Sequence, residues 1–133
     1  ADDLFLAMHD GEYPYVLPLN FVRQGQAIYI HCALEGHKLD CIRQNPRVAF
    51  TLMGDVTIHR EKSTTYFKSL CGKGTACIVE DEAEKGRALD AIAQRYAALC
   101  PQPTPKSSIK RTAIVRIDIE ELTGKRNLPS GAA

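Results

Sequence analysis

The sequence predicts an α+β domain, mainly β, built as a small antiparallel barrel with flanking helices. Three observations lead there. Short apolar stretches alternate with a period of two residues and follow one another as hairpins. Asp10-Gly11 and Gln24-Gly25-Gln26 punctuate the first of them as turns. Residues 37–44 and 82–99 change to the helical period.

Leu4 to Met8 is an apolar run that ends at the Asp10-Gly11 turn. PYVLPLNFV, residues 14–22, reads as the second strand. Tyr15, Leu17, Leu19 and Phe21 share one face of it, and Val16, Pro18, Asn20 and Val22 the other. Pro18 has no N–H to give a ladder, so this strand lies at an edge or carries a bulge. AIYIHC, residues 27–32, is the third strand. Leu39 and Ile42, three apart, mark a helix that Asn45-Pro46 stops.

Val48, Phe50 and Leu52 alternate as a fourth strand. Residues 54–63 are polar and offer at most a short strand at Val56–His59. Residues 65–81 form a long strand in which Gly72 and Gly74 signal a bulge or a close backbone approach. In the helix at 82–99, Leu89, Ile92, Ala93, Tyr96 and Leu99 make the apolar stripe, and Glu82 and Glu84 suit its positive end. Pro101, Pro103 and Pro105 stiffen a loop, and the basic run Lys106 to Arg111 borders it in solvent. Ala113, Val115 and Ile117 alternate along a last strand at 112–122, and the chain from Gly124 onward reads as loop. The total is about six strands. A barrel this small fills its interior with side chains, so a ligand must bind outside it or at a subunit boundary.

The 133 residues suit a single domain over 1–133. A formal net charge of +1 and no basic stripe argue against a nucleic-acid partner. No apolar run of about 18 residues marks a membrane span, and no signal peptide opens the chain, so a cytoplasmic protein is expected. The five cysteines are odd in number and include no C-x-x-C, which argues against a disulfide framework and a zinc site. They read as small buried hydrophobes. Without a base at fixed spacing, Cys32 and Cys71 do not read as nucleophiles. His9, His37 and His59 lack ligand spacing, so no metal is expected.

The stretch IYIHCALEGHKLDCI, residues 28–42, is the most informative. A strand that feeds a helix presents unpaired N–H groups at the helix start, and these attract anions. Gly36 allows close approach of the backbone. Lys38 opposes the helix dipole, a mismatch that a bound phosphate would resolve. His31 is expected to point toward the same corner. The competing reading is a solvated lysine and a histidine that is merely hydrogen-bonded.

With that corner placed, the order of segments resembles the FMN-binding split barrels related to pyridoxamine 5'-phosphate oxidase, and within them the nitroimidazole-resistance-type branch. DGEYPYVLPLNF, IYIHCALEGHKLDCIRQNPRVAF, YFKSLCGKGTACIVEDEAEKGRAL and IDIEELTGKRN carry the resemblance, over roughly residues 5–127. It implies a six-stranded split β-barrel, FMN as cofactor, and a homodimer with FMN at the subunit interface. It implies that Lys38 binds the FMN phosphate, with His31 and the backbone of Cys32 and Ala33 beside it. Pro18, Leu19, Asn20 and Phe21 would run along the flavin ring, Tyr29 would sit near the ribityl chain or ring, and Ser69 would reach FMN from the partner subunit. The activity implied is an oxidoreductase passing electrons from a small-molecule donor to a small planar acceptor such as a nitroaromatic. His31 is the first choice as a catalytic acid or base, because imidazoles titrate near neutral pH.

Three features depart from the relatives: no helix is expected before the first strand, no segment is expected to complete the substrate site as in true pyridoxamine-phosphate oxidases, which argues against that activity, and Cys71-Gly72 stands where relatives often have larger residues beside Ser69. The alternatives are a flavin carrier or sensor without turnover, and a split-barrel module for haem or a deazaflavin.

Overall fold

The computed structural model describes residues 2–96 and 106–129. The prolines at 101, 103 and 105, Cys100 and the last turn expected for the 82–99 helix lie outside them. The described chain runs β1 (Asp3–His9), β2 (Pro14–Asn20), β3 (Val22–Gln24), β4 (Ala27–Ala33), α1 (His37–Gln44), β5 (Arg47–His59), β6 (Thr64–Ile78), α2 (Glu82–Tyr96), α3 (Lys106–Arg111) and β7 (Thr112–Asn127).

All the strands belong to one curled antiparallel sheet of seven, in the order β2-β1-β5-β6-β7-β4-β3. Its two edges, β2 and β3, do not pair with each other, so the sheet is a half-barrel left open along one side. The expected six strands become seven because the 14–22 stretch breaks at Phe21. There the backbone N–H donates to the Tyr96 hydroxyl and the carbonyl accepts from it, both at 2.9 Å, instead of joining the ladder. Val22 then starts a short hairpin to β4 through Gly25, whose φ of +63° favours glycine. Pro18 stands opposite Phe5 on the edge strand, where its missing N–H costs no ladder bond.

Alternation decides the core. Leu4, Leu6 and Met8 of β1 face Ile28 and Ile30 of β4, Val48 and Phe50 of β5, and Val115 and Ile117 of β7. Helix α1 closes one end with Leu39, Cys41 and Ile42. Phe50 pairs with Gly72 across β5 and β6, and its ring lies where a side chain at 72 would be. The close approach expected at Gly72 is therefore a ring seated on bare backbone.

On the outer face of β3, β4 and β7, helix α2 buries Ala88 and Ile92 against Val22, Val79 and Ile114. Asp81 caps it, accepting the Glu84 N–H at 3.0 Å. The basic run at 106–111 is a helix rather than loop margin; Ile109 packs against α2 at Gly86 and anchors it. Strand β5 runs on through the polar 54–59 stretch with a register shift between Gly54 and Thr57, where Asp55 takes φ +53°. The segment from Gly124 is strand as well, paired with Phe67 to Leu70 of β6. The short strand offered at Val56–His59 lies within this extension of β5, and both faces of the arm are largely exposed. Cys32, Cys41, Cys71 and Cys77 are free thiols, and Cys71 is exposed rather than buried.

Candidate functional site

The end of β4, the first turn of α1 and the inner face of β2 enclose a hollow of about 210 Å³. Cys32, Ala33, Gly36 and Lys38 line it, joined by Tyr15, Glu35, His37 and Leu39. Gly36 is the N-cap of α1 and offers no side-chain acceptor, so no side chain caps the first-turn N–H groups. Lys38 stands in that turn, partly exposed. Burial pushes the Cys32 thiol up, and the nearby Lys38 ammonium pulls it back only in part. Cys32 thus stays a neutral thiol. An uncapped helix start, a glycine and a lysine facing one space make a fit for a phosphate.

Three of the residues expected at the site, Cys32, Ala33 and Lys38, meet here. His31 is exposed, and alternation along β4 turns it to the face opposite Cys32; it does not line the hollow. Tyr29 shares that outer face. Its hydroxyl donates to Glu84 at 2.7 Å, and the Arg116 guanidinium holds the same carboxylate at 2.7 and 3.0 Å. Arg116, then Tyr29, keep the Glu84 carboxyl below the usual range, while burial and then Glu84 push the Tyr29 phenol up. This network fastens α2 to the sheet.

Pro18, Leu19 and Asn20 lie on edge strand β2, whose free edge carries N–H and C=O groups with no ladder partner. The Asn20 amide donates to Asp3 at 2.7 Å. Phe21 is buried, its backbone is held by Tyr96, and Arg95 stacks over its ring at 4.4 Å. Ser69 is on the arm, in another hollow with Met53, Lys68, Lys125 and Arg126. The outer face of β1, β2, β5 and β6 forms a shallow apolar dish, with Phe5 49% and Val16 62% exposed beside Ala7, Ala49, Thr51 and Cys71.

Sequence reasoning missed Tyr15 and His37 as members of the corner. Alternation along β2 could have found Tyr15. His37 needed the fold, because its partner Asp10 is 27 positions away in the chain. Among the described residues no group of three or more His, Cys, Asp or Glu side chains could hold a metal ion. No described helix is long and apolar enough to cross a membrane.

Comparison with known proteins supports the resemblance carried by these segments. The chain is similar to a candidate 5-nitroimidazole antibiotic resistance protein of Bacteroides thetaiotaomicron, with 25% identity and a TM-score of 0.82 over 93% of this chain and 76% of that one. It shares its fold with a flavocytochrome of Azotobacter vinelandii, at 21% identity and TM-score 0.78, covering 97% of this chain and 63% of that one. A FAD and haem binding protein of Mycobacterium smegmatis shares it too, at 18% identity and TM-score 0.75, with coverages of 98% and 69%. No curated protein sequence matches. The model of the pyridoxamine 5'-phosphate oxidase family matches residues 4–126, nearly all of the sheet and both of its helical layers, and the chain belongs to that family.

Proposed function

We propose that this chain binds a flavin, FMN, with its phosphate in the hollow under α1, and that it works as a flavin-dependent reductase of a small planar acceptor such as a nitroaromatic. One observation carries the reading: β4 and α1 bring Cys32, Ala33, Gly36 and Lys38 to one hollow at an uncapped helix start. Family membership and structural neighbours named for flavin or FAD support it.

When bound, the flavin supplies two-electron chemistry, taking reducing equivalents from a small-molecule donor and passing them on. The chain's own residues do the rest. Lys38 neutralises the phosphate, and the first-turn N–H groups donate to it. The free edge of β2 offers backbone hydrogen bonds to a ring's polar rim, from the carbonyl at Pro18 and the backbone at Asn20, with Leu19 between them. Phe21, with its backbone already engaged, offers that rim no hydrogen bond and acts by holding the end of β2 in place. Tyr29 sits one layer out, steadying β4 through Glu84. His31, on the outer face of β4 with Tyr29, stands away from this hollow, so the acid or base role expected of it is not assigned to it here. A second copy of the chain covers the apolar dish around Phe5 and Val16 and brings its own Ser69 to the flavin, giving a homodimer.

The absorption spectrum of the purified protein tests this. Flavin bands that bleach with NADH or NADPH and return with a nitroaromatic support the reductase. Flavin bands that never bleach leave a carrier or sensor, and a haem Soret band in their place rejects the flavin. Gel filtration of a flavin-loaded monomer would reject the shared site.

A further inference from the structure

His37 is the first residue of α1 and faces the phosphate corner beside Lys38. Its Nε2 stands between two groups of opposite demand. The Cys41 thiol lies 3.6 Å from it and the Asp10 carboxylate 3.9 Å from it. Burial pushes the Cys41 thiol up, so Cys41 stays protonated and donates to a neutral Nε2. The carboxylate, at ion-pair distance, attracts the imidazole only once it is protonated. The Tyr15 ring meets the imidazole edge-on, with centroids 4.8 Å apart, and restricts its swing.

The charges around His37 come from every neighbouring element. Asp10 lies in the β1–β2 turn, where the N–H groups of Tyr13 and then Glu12 keep its carboxyl below the usual range. Glu35 lies in the loop before α1 and also lines the hollow. Lys38, Asp40 and Arg43 are on α1, with Arg43 turned to Asp40 at 3.4 Å. With His37 neutral, Glu35 shares the hollow with Lys38 and the Asp10 charge beside His37 is uncancelled. With His37 protonated, the His37–Asp10 pair goes from one negative charge to none, and the corner becomes more positive by one unit.

Resting on the flavin reading above, we infer that the His37–Asp10 pair is a proton switch on the anion corner, strengthening its hold on a phosphate monoester below neutral pH and relaxing it above. The pair is partly exposed, with 56% of the His37 side chain in contact with solvent. Screening therefore limits the effect to about fivefold in affinity.

The test measures FMN affinity by flavin fluorescence from pH 5.5 to 8.0 for the wild-type chain and His37→Gln, which stays neutral throughout. The ratio of the two affinities cancels the phosphate's own ionisation. The expected ratio is about fivefold in favour of wild type at the acid end, falling to one at the alkaline end. Asp10→Asn, which can still accept the turn's N–H groups, should tighten FMN at pH 8.0 and flatten the profile. Riboflavin, lacking the phosphate, should show no pH dependence in any variant. A constant ratio in a chain that binds FMN overturns the switch alone. A folded chain that binds FMN at no pH overturns both the switch and the flavin reading.

Discussion

Gly72→Ala should destabilise the fold through a single contact. A Cβ placed on Gly72 would sit 2.6 and 2.7 Å from Cε2 and Cε1 of Phe50, where ordinary contact begins near 3.4 Å. The ring cannot retreat, because Phe50 is 4% exposed within the main core and lies directly opposite Gly72 in the ladder. It must leave its rotamer or push the sheet open, as in other overpacked cores, at about 2 kcal/mol. In a domain of this length that lowers Tm by about 6–10 °C. Urea unfolding followed by circular dichroism measures it. Gly54→Ala is the control, since nothing lies within 4 Å of a Cβ there. Phe50→Leu should recover part of the loss in the double variant, showing coupling between the two positions. A Gly72→Ala midpoint equal to wild type with an unchanged slope would refute the reasoning.

Further expectations concern the clamp on α2. Glu84→Gln loosens the bond to Arg116 and costs about 1–2 kcal/mol at neutral pH. The folded Glu84 carboxyl titrates below its unfolded value, so on acidification the unfolded chain takes up the proton first. The contribution of Glu84 is whole above about pH 5 and fades as pH falls through the folded value, so the stabilities of wild type and Glu84→Gln should draw together as the solution is acidified from about pH 5 toward about pH 3. Parallel curves down to that pH would contradict this. Tyr96→Phe removes the hydroxyl that holds both backbone groups of Phe21 and should cost about 1 kcal/mol in thermal unfolding, with faster amide exchange at Phe21. Exchange at Phe21 equal to wild type would show that the hydroxyl holds nothing there.

Much of the barrel was legible because its strands have one wet face. Leu4-Leu6-Met8, Ile28-Ile30 and Val48-Phe50 each spell period two, and Pro18 announced an edge. What escaped lacked that contrast. The arm at 54–64 and 122–127 has two exposed faces, so its sequence hints at a strand only at Val56–His59, and only pairing with β6 makes GKRN a strand. Helix α3 is six residues with one apolar anchor, Ile109, too short for a stripe. At the site, Gly36 and Lys38 were readable because a lysine opposes the dipole where it stands. The face of His31 was readable too, since alternation separates it from Cys32. The links Tyr29–Glu84–Arg116 and His37–Asp10 were not, because their partners are brought together only by the folded chain.

The account depends on Lys38 and the start of α1 holding a phosphate. Equilibrium titration of apoprotein with FMN and, separately, with riboflavin, for wild type and Lys38→Ala, addresses that claim directly. The account predicts that Lys38→Ala weakens FMN about 30-fold, the loss of one charge-assisted contact of about 2 kcal/mol, and leaves riboflavin unchanged. FMN affinity equal to wild type, or an equal loss for both ligands, would contradict it.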